Sequence, residues 1–227
     1  MSTDWMDPAL AGFLRSAFPE VMEIARAHRL PHDYAAGHRP RHFAGALDRP
    51  DRVEVLLLLA EPGSTPYPWE VGRSPDTWLD DVCSDGVGGR GGHPFVYDPA
   101  HAYDPRYEAR FAVAPARFLA QVFPDLAPAE RMARVVIANA FWMQADASGG
   151  RIPRGAERAF APILGRFVAL FPSAQVVAAG GKASERLALA GRRHLRMSAL
   201  TQPEYNKPSA RESHARVARQ LREGAAR

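Results

Sequence analysis

The sequence predicts an α/β fold: a three-layer α/β/α arrangement around a central, mainly parallel sheet of about four strands. Three observations predict it. Short runs rich in Val, Leu and Ala at 53–60, 134–141 and 175–179 are apolar almost throughout, as strands buried on both faces of a parallel sheet are, and each is too short to span a bilayer. Stretches with apolar residues at helical spacing separate them. Strands that alternate with helices imply right-handed crossovers, and hence parallel pairing.

With 227 residues, 46% hydrophobic and 24% charged, the chain has enough apolar material for a real core and reads as one domain. Within it fall an N-terminal helix and irregular segment at 1–52, a core at 53–206 and a C-terminal helix at 207–227. The net charge is +4, and Lys182 and Lys207 are the only lysines. The excess of arginine is read first as coding bias and second as phosphate-binding capacity. Cys83 is the single cysteine, which excludes internal disulfides and cysteine-ligated clusters. Residues 1–7 lack the basic and apolar regions of a signal peptide and no run is long enough to span a bilayer, so a cytoplasmic protein with no membrane partner is expected; a monomer without cofactor or metal is expected as well.

Taken in order, Asp7 and Pro8 start a helix as N-cap and first helical residue, and Leu10, Phe13, Leu14, Phe18, Val21, Met22, Ile24 and Ala25 supply its apolar face. Residues 30–52, broken by Pro31, Pro40 and Pro50, show no period, and the scattered His28, His32, His38 and His42 read as loop residues rather than ligands. The strand at 53–59 runs into Glu61-Pro62-Gly63, a turn at its carboxyl end. A connection from 64 to 110 follows, with Tyr67, Trp69, Trp78, a glycine cluster at Gly86 to Gly92, and Phe95 and Tyr97. Connections this long tend to be binding loops, and this one lacks the Lys-Ser/Thr of a P-loop. Helices are expected at 112–123, from Ala127, at 153–171, from Gly180-Gly181-Lys182 to Leu189, and from Ser209. A strand about 195–200 delivers Gln202 and Pro203.

In open α/β sheets ligands bind outside the carboxyl ends of the strands. Glu61, Asn139, the Gly180-Gly181 turn and Gln202 should therefore meet at one edge. Asn139 interrupts an apolar run with a group that donates and accepts together, as reading the edge of a pyrimidine or amide requires. A carboxylate can orient water or steady a developing cation, and a Gln can donate to an oxygen gaining charge. Each also has a plain structural reading: Asn139 as a strand-end cap, Glu61 as the partner of an arginine, Gln202 as a solvent-facing loop residue, Phe95 and Tyr97 as loop packing.

Six segments in order resemble the uracil-DNA glycosylase superfamily, most closely its iron-sulfur bacterial and archaeal branch. Leu59-Ala60-Glu61-Pro62-Gly63 is similar to that branch's Gly-Glu-Ala-Pro-Gly, and Gly92-His93-Pro94-Phe95-Val96-Tyr97 to its Gly-x-Pro-Phe-Val-Gly, whose Phe stacks on the flipped base. Ala138-Asn139-Ala140-Phe141-Trp142 resembles Thr-Asn-Val-Val-Lys, whose Asn reads uracil. Arg151-Ile152-Pro153 through Glu157 resembles Arg-x-Pro-x-x-x-Glu, Ala178-Ala179-Gly180-Gly181-Lys182-Ala183 resembles Ala-Leu-Gly-x-x-Ala, and Gln202-Pro203-Glu204-Tyr205 resembles His-Pro-x-Tyr.

The departures are specific. Met143 and Ala161 stand at two of the four cluster-cysteine places and the N-terminal pair has no counterpart, so no iron-sulfur cluster is expected. Ala60 occupies the branch's Glu position, with Glu61 one residue on, where the best-known branch of the superfamily carries its catalytic Asp. Gln202 replaces the His that stabilises the departing base.

The resemblance implies a DNA glycosylase acting on uracil or another damaged base. Glu61 and Gln202 would be catalytic. Phe95, Asn139, Ala60, Pro62 and Gly63 would line the base pocket, and Gly180, Gly181, Lys182 and Pro203 would contact DNA. Loss of one strong donor at a growing anion costs on the order of a hundred- to thousandfold, so Gln202 implies slow catalysis. Two alternatives stand beside this: a superfamily member that binds nucleic acid or a nucleobase without cutting, and an unrelated α/β enzyme acting on a small molecule.

Overall fold

Among the described residues, five strands, β1 (Phe43–Gly45), β2 (Val55–Leu59), β3 (Val135–Asn139), β4 (Gln175–Ala179) and β5 (Leu195–Met197), form one sheet in the order β1-β3-β2-β4-β5. The computed structural model describes residues 6–36, 38, 40, 43–62, 74, 110–145, 151–201 and 204–225. β2, β3, β4 and β5 run parallel, and β1 pairs antiparallel with β3 at one edge. Helices α1 (Pro8–Ala27), α2 (Arg110–Val122), α3 (Pro128–Met132), α4 (Arg154–Ala169), α5 (Gly181–Leu189) and α6 (Pro208–Ala225) accompany it.

The α/β class and the mainly parallel sheet follow the sequence; the strand count does not. β1 lies in the segment expected to be irregular, and it escaped because three residues are too few to show an alternation. Its end is set by close backbone approach. Gly45 has φ of 107°, and a Cβ there would sit 1.9 Å from the Val135 carbonyl oxygen. Gly45→Ala is therefore expected to cost about 2 kcal/mol, read as a lower urea midpoint. An unchanged midpoint would mean that β1 reseats without strain.

The two faces of the sheet bury different partners. Leu56, Leu58, Val136, Ala138 and Ala178 face a core completed by Leu10, Leu14 and Val21 of α1, Phe160, Leu164 and Phe167 of α4, and Ala183 and Leu187 of α5. On the other face, Val55, Leu57, Val135, Ile137 and Val177 pack with Phe118 and Leu119 of α2 and Val217 and Leu221 of α6. Strands covered on both sides read as continuous apolar runs, which is why three of them were legible. α1 starts as expected: the Asp7 carboxylate accepts from the amides of Ala9 and Leu10 at 3.0 and 2.9 Å, and Pro8 takes the first turn. No helix among the described residues is long and apolar enough to cross a membrane.

Candidate functional site

The parallel register puts Leu59 opposite Asn139, so the chain leaves β2 and β3 side by side. The pairing continues past both strands: the amides of Ala140 and Phe141 donate to the carbonyls of Leu59 and Ala60 at 2.7 and 3.1 Å. Glu61 and Asn139 thus lie on one edge of the sheet. Alternation places Asn139 in phase with Val135 and Ile137, and it is buried. Beyond it, Phe141 and Trp142 anchor the strand end in an aromatic cluster, edge-on to Phe160 at 4.9 and 5.3 Å between centroids, with Trp142 also edge-on to Phe167.

β4 pairs with the other side of β2 and ends at Ala179, and Gly180 caps the start of α5 at the same edge. Gly180 has φ of 101°, and a Cβ would meet Ala199 at 3.2 Å, so the turn takes glycine for both conformation and space. Two cations of α5, Lys182 and Arg186, stand four residues apart and share a face. Lys182 Nζ donates to Glu61 Oε1 at 2.6 Å and Arg186 Nη1 to Glu61 Oε2 at 2.6 Å. The Arg186 side chain is 3% exposed and Lys182 is 53% exposed.

Arg186 joins three pieces of chain. Besides Glu61 it donates to the Ala60 carbonyl at 2.6 Å and, through Nε, to Glu157 Oε1 of α4 at 3.0 Å, and its guanidinium lies 5.4 Å from the Phe141 ring centre. The segments containing Glu61, Glu157 and Phe141, read separately in the sequence, therefore meet through a residue that no motif singled out. Its signal was faint: a second cation one turn after Lys182 looks like any solvated helix face.

Burial is the largest influence on Glu61 and pushes its pKa up. The charge of Arg186, the hydrogen bonds from Lys182 and Arg186, and the charge of Lys182 together outweigh it and hold the carboxyl below the usual glutamate range. A depressed folded pKa means that the unfolded chain binds the proton more tightly. Glu61 thus contributes stability above the ordinary carboxylate range that is lost as pH falls through its lower folded value. Urea unfolding followed from neutral to strongly acidic pH is expected to show this loss, and Glu61→Gln to flatten the acid limb. An equally steep limb in the variant would contradict the assignment.

Next to the α5 start, β5 and α6 border a cleft of about 640 Å³ lined by Gly180, Gly181, Arg196, Thr201, Arg216 and one carboxylate, Glu204, which Lys207 pairs at 2.6 Å. The exit of β5 is pinned to α6. Ser198 donates its amide to Ser213 Oγ at 3.1 Å and accepts from His214 Nε2 at 3.0 Å, while the His214 ring stacks on Tyr205 at 5.5 Å. That segment carries Gln202 and Pro203, which lie outside the described residues, as do Gly63 and Phe95.

No family model matches the chain, and no curated protein matches it. Of the residues singled out in the sequence, Ala60, Glu61, Pro62, Asn139, Gly180, Gly181 and Lys182 come together at one sheet edge. Lys182, expected at a phosphate, is on Glu61, and Glu61 has the arginine partner of its plain reading. Met143 is fully buried in the apolar core and Ala161 is buried on α4. Among the described residues no group of three or more His, Cys, Asp or Glu side chains is placed to hold a metal ion.

Proposed function

We propose that the chain is a uracil-DNA glycosylase-like protein that binds DNA, receives a flipped uracil or other damaged base at the carboxyl edge of its sheet, and hydrolyses the N-glycosidic bond. The observation that carries this reading is the Leu59–Asn139 register, which brings a buried amide and an ionised carboxylate to neighbouring strand ends. In this reading Asn139 reads the base edge and Phe95 stacks on the base. Ala60, Pro62 and Gly63 form the pocket floor, and Gln202 donates to the base oxygen as the bond breaks.

Glu61 has two conceivable tasks, base to a water or counter-ion to the sugar. Its lowered pKa makes it a weak proton acceptor and a dependable anion, so the second task fits better. Water adds to the sugar carbon as the glycosidic electron pair leaves with the base, and the water's proton ends on the departing base. The cleft of Arg196 and Arg216 beside Gly180 and Gly181 suits backbone phosphates, with Pro203 at its border in sequence.

The binding-only reading has its own support: both carboxylate oxygens of Glu61 are taken by cations, and Gln202 stands where the resembled family has His. Alkali-induced strand nicking at the abasic sites left in oligonucleotides bearing uracil, hypoxanthine or xanthine decides between them. Slow release of one of these bases, lost in Glu61→Ala, is the expected result. No release, with salt-sensitive binding retained, would leave a binding protein, and no salt-sensitive binding would end the nucleic-acid reading.

A further inference from the structure

The two cations on Glu61 are held in different ways. Arg186 is buried and fixed by the Ala60 carbonyl, Glu157 and the Phe141 ring as well as by Glu61. Lys182 is half exposed, and among the described residues Glu61 is its one ion-pair partner. An ion pair with an exposed, flexible lysine is weak and easily exchanged, whereas a buried guanidinium with several acceptors stays in place. Lys182 also sits in the first turn of α5, directly after the Gly180-Gly181 turn that borders the Arg196 and Arg216 cleft.

We infer that Lys182 is a substrate-sensing cation: in the free protein it covers Oε1 of Glu61, and a nucleic-acid backbone phosphate in the adjoining cleft draws its ammonium away. Arg186 is the positioning residue that keeps the carboxylate aimed at the same place throughout. Exchange of one partner leaves Glu61 with a free oxygen and with less cancellation of its charge, so the anion gains strength only when a strand is bound. The inference rests on the nucleic-acid reading and adds to it a coupling between backbone contact and the carboxylate. Among the described residues, the charged groups facing Glu61 are Lys182 and Arg186 from α5, with Glu157 of α4 reached through Arg186.

The test follows the Glu61 carboxyl carbon by NMR, assigned by its absence in Glu61→Gln, through acid titrations with and without saturating oligothymidylate, which carries phosphates and no target base. Binding is measured independently by fluorescence anisotropy. The titration midpoint of wild type is expected to rise when the oligonucleotide binds. In Lys182→Met it should start higher, and the oligonucleotide should add much less. A midpoint that oligonucleotide binding leaves in place, or that Lys182→Met does not raise, overturns the coupling while leaving the nucleic-acid reading intact. Absence of binding in the anisotropy measurement overturns that reading, and the coupling with it.

Discussion

Arg186→Met is expected to destabilise the protein by about 3 kcal/mol, the lower end of what removing one partner from a buried ion pair costs. The guanidinium is almost wholly buried and serves Glu61, Glu157 and the Ala60 carbonyl at once, so its loss leaves two carboxylates and one carbonyl short of a donor. Lys182 remains on Glu61, and both carboxylates keep some contact with water, which holds the cost below the upper end. For a chain of this length, 3 kcal/mol lowers the melting temperature by roughly 6–12 °C. Neutralising the partners as well, with Glu61→Gln and Glu157→Gln in the Met background, is expected to recover part of the loss, because a mutually satisfied apolar or neutral set replaces uncompensated charge. Thermal and urea unfolding of the series check both points. A single variant as stable as wild type would mean that Arg186 is dispensable to this junction.

On the proposed glycosylase reading, Asn139→Ala is expected to lower the single-turnover rate of base release by about a hundred- to thousandfold, the usual cost of removing a placed donor from a site where charge develops. The amide complements an edge that pairs a carbonyl acceptor with a ring N–H donor, as uracil's does. Asn139→Asp keeps the size and removes the donor, so it should fail on the same substrate nearly as badly. Since Asn139 is buried at the end of β3, unfolding must be measured alongside the rate. A slow but natively stable Asn139→Asp would assign the loss to recognition. A rate unchanged in a stable variant would remove Asn139 from the site.

The legible parts of the fold are those whose signal is local and dense. β2, β3 and β4 are continuous apolar runs because both faces are covered, and α1 announces itself through Asp7 and Pro8. β1 was illegible for want of length. β5 is shorter than expected because Ser198 turns its amide to Ser213 on α6, ending the ladder at Met197. Glu61 and Asn139 stood out as polar residues that interrupt or end an apolar run, and the parallel register brings them to one edge. Arg186 did not stand out, since its burial depends on where α4 and α5 meet, and neither helix's sequence states that alone. The Arg196 and Arg216 cleft is equally non-local, built from residues on β5 and α6.

The central claim, that a nucleobase is held at the edge formed by β2 and β3, is tested most directly by the side-chain amide resonance of Asn139. The titrant is an oligonucleotide whose target deoxyuridine carries a 2′-fluorine to resist cleavage, compared with the same strand lacking that base. The Asn139 amide is expected to shift with the base-bearing strand and to stay in place with the abasic one. Identical spectra with both strands, at concentrations where both are bound, would contradict it.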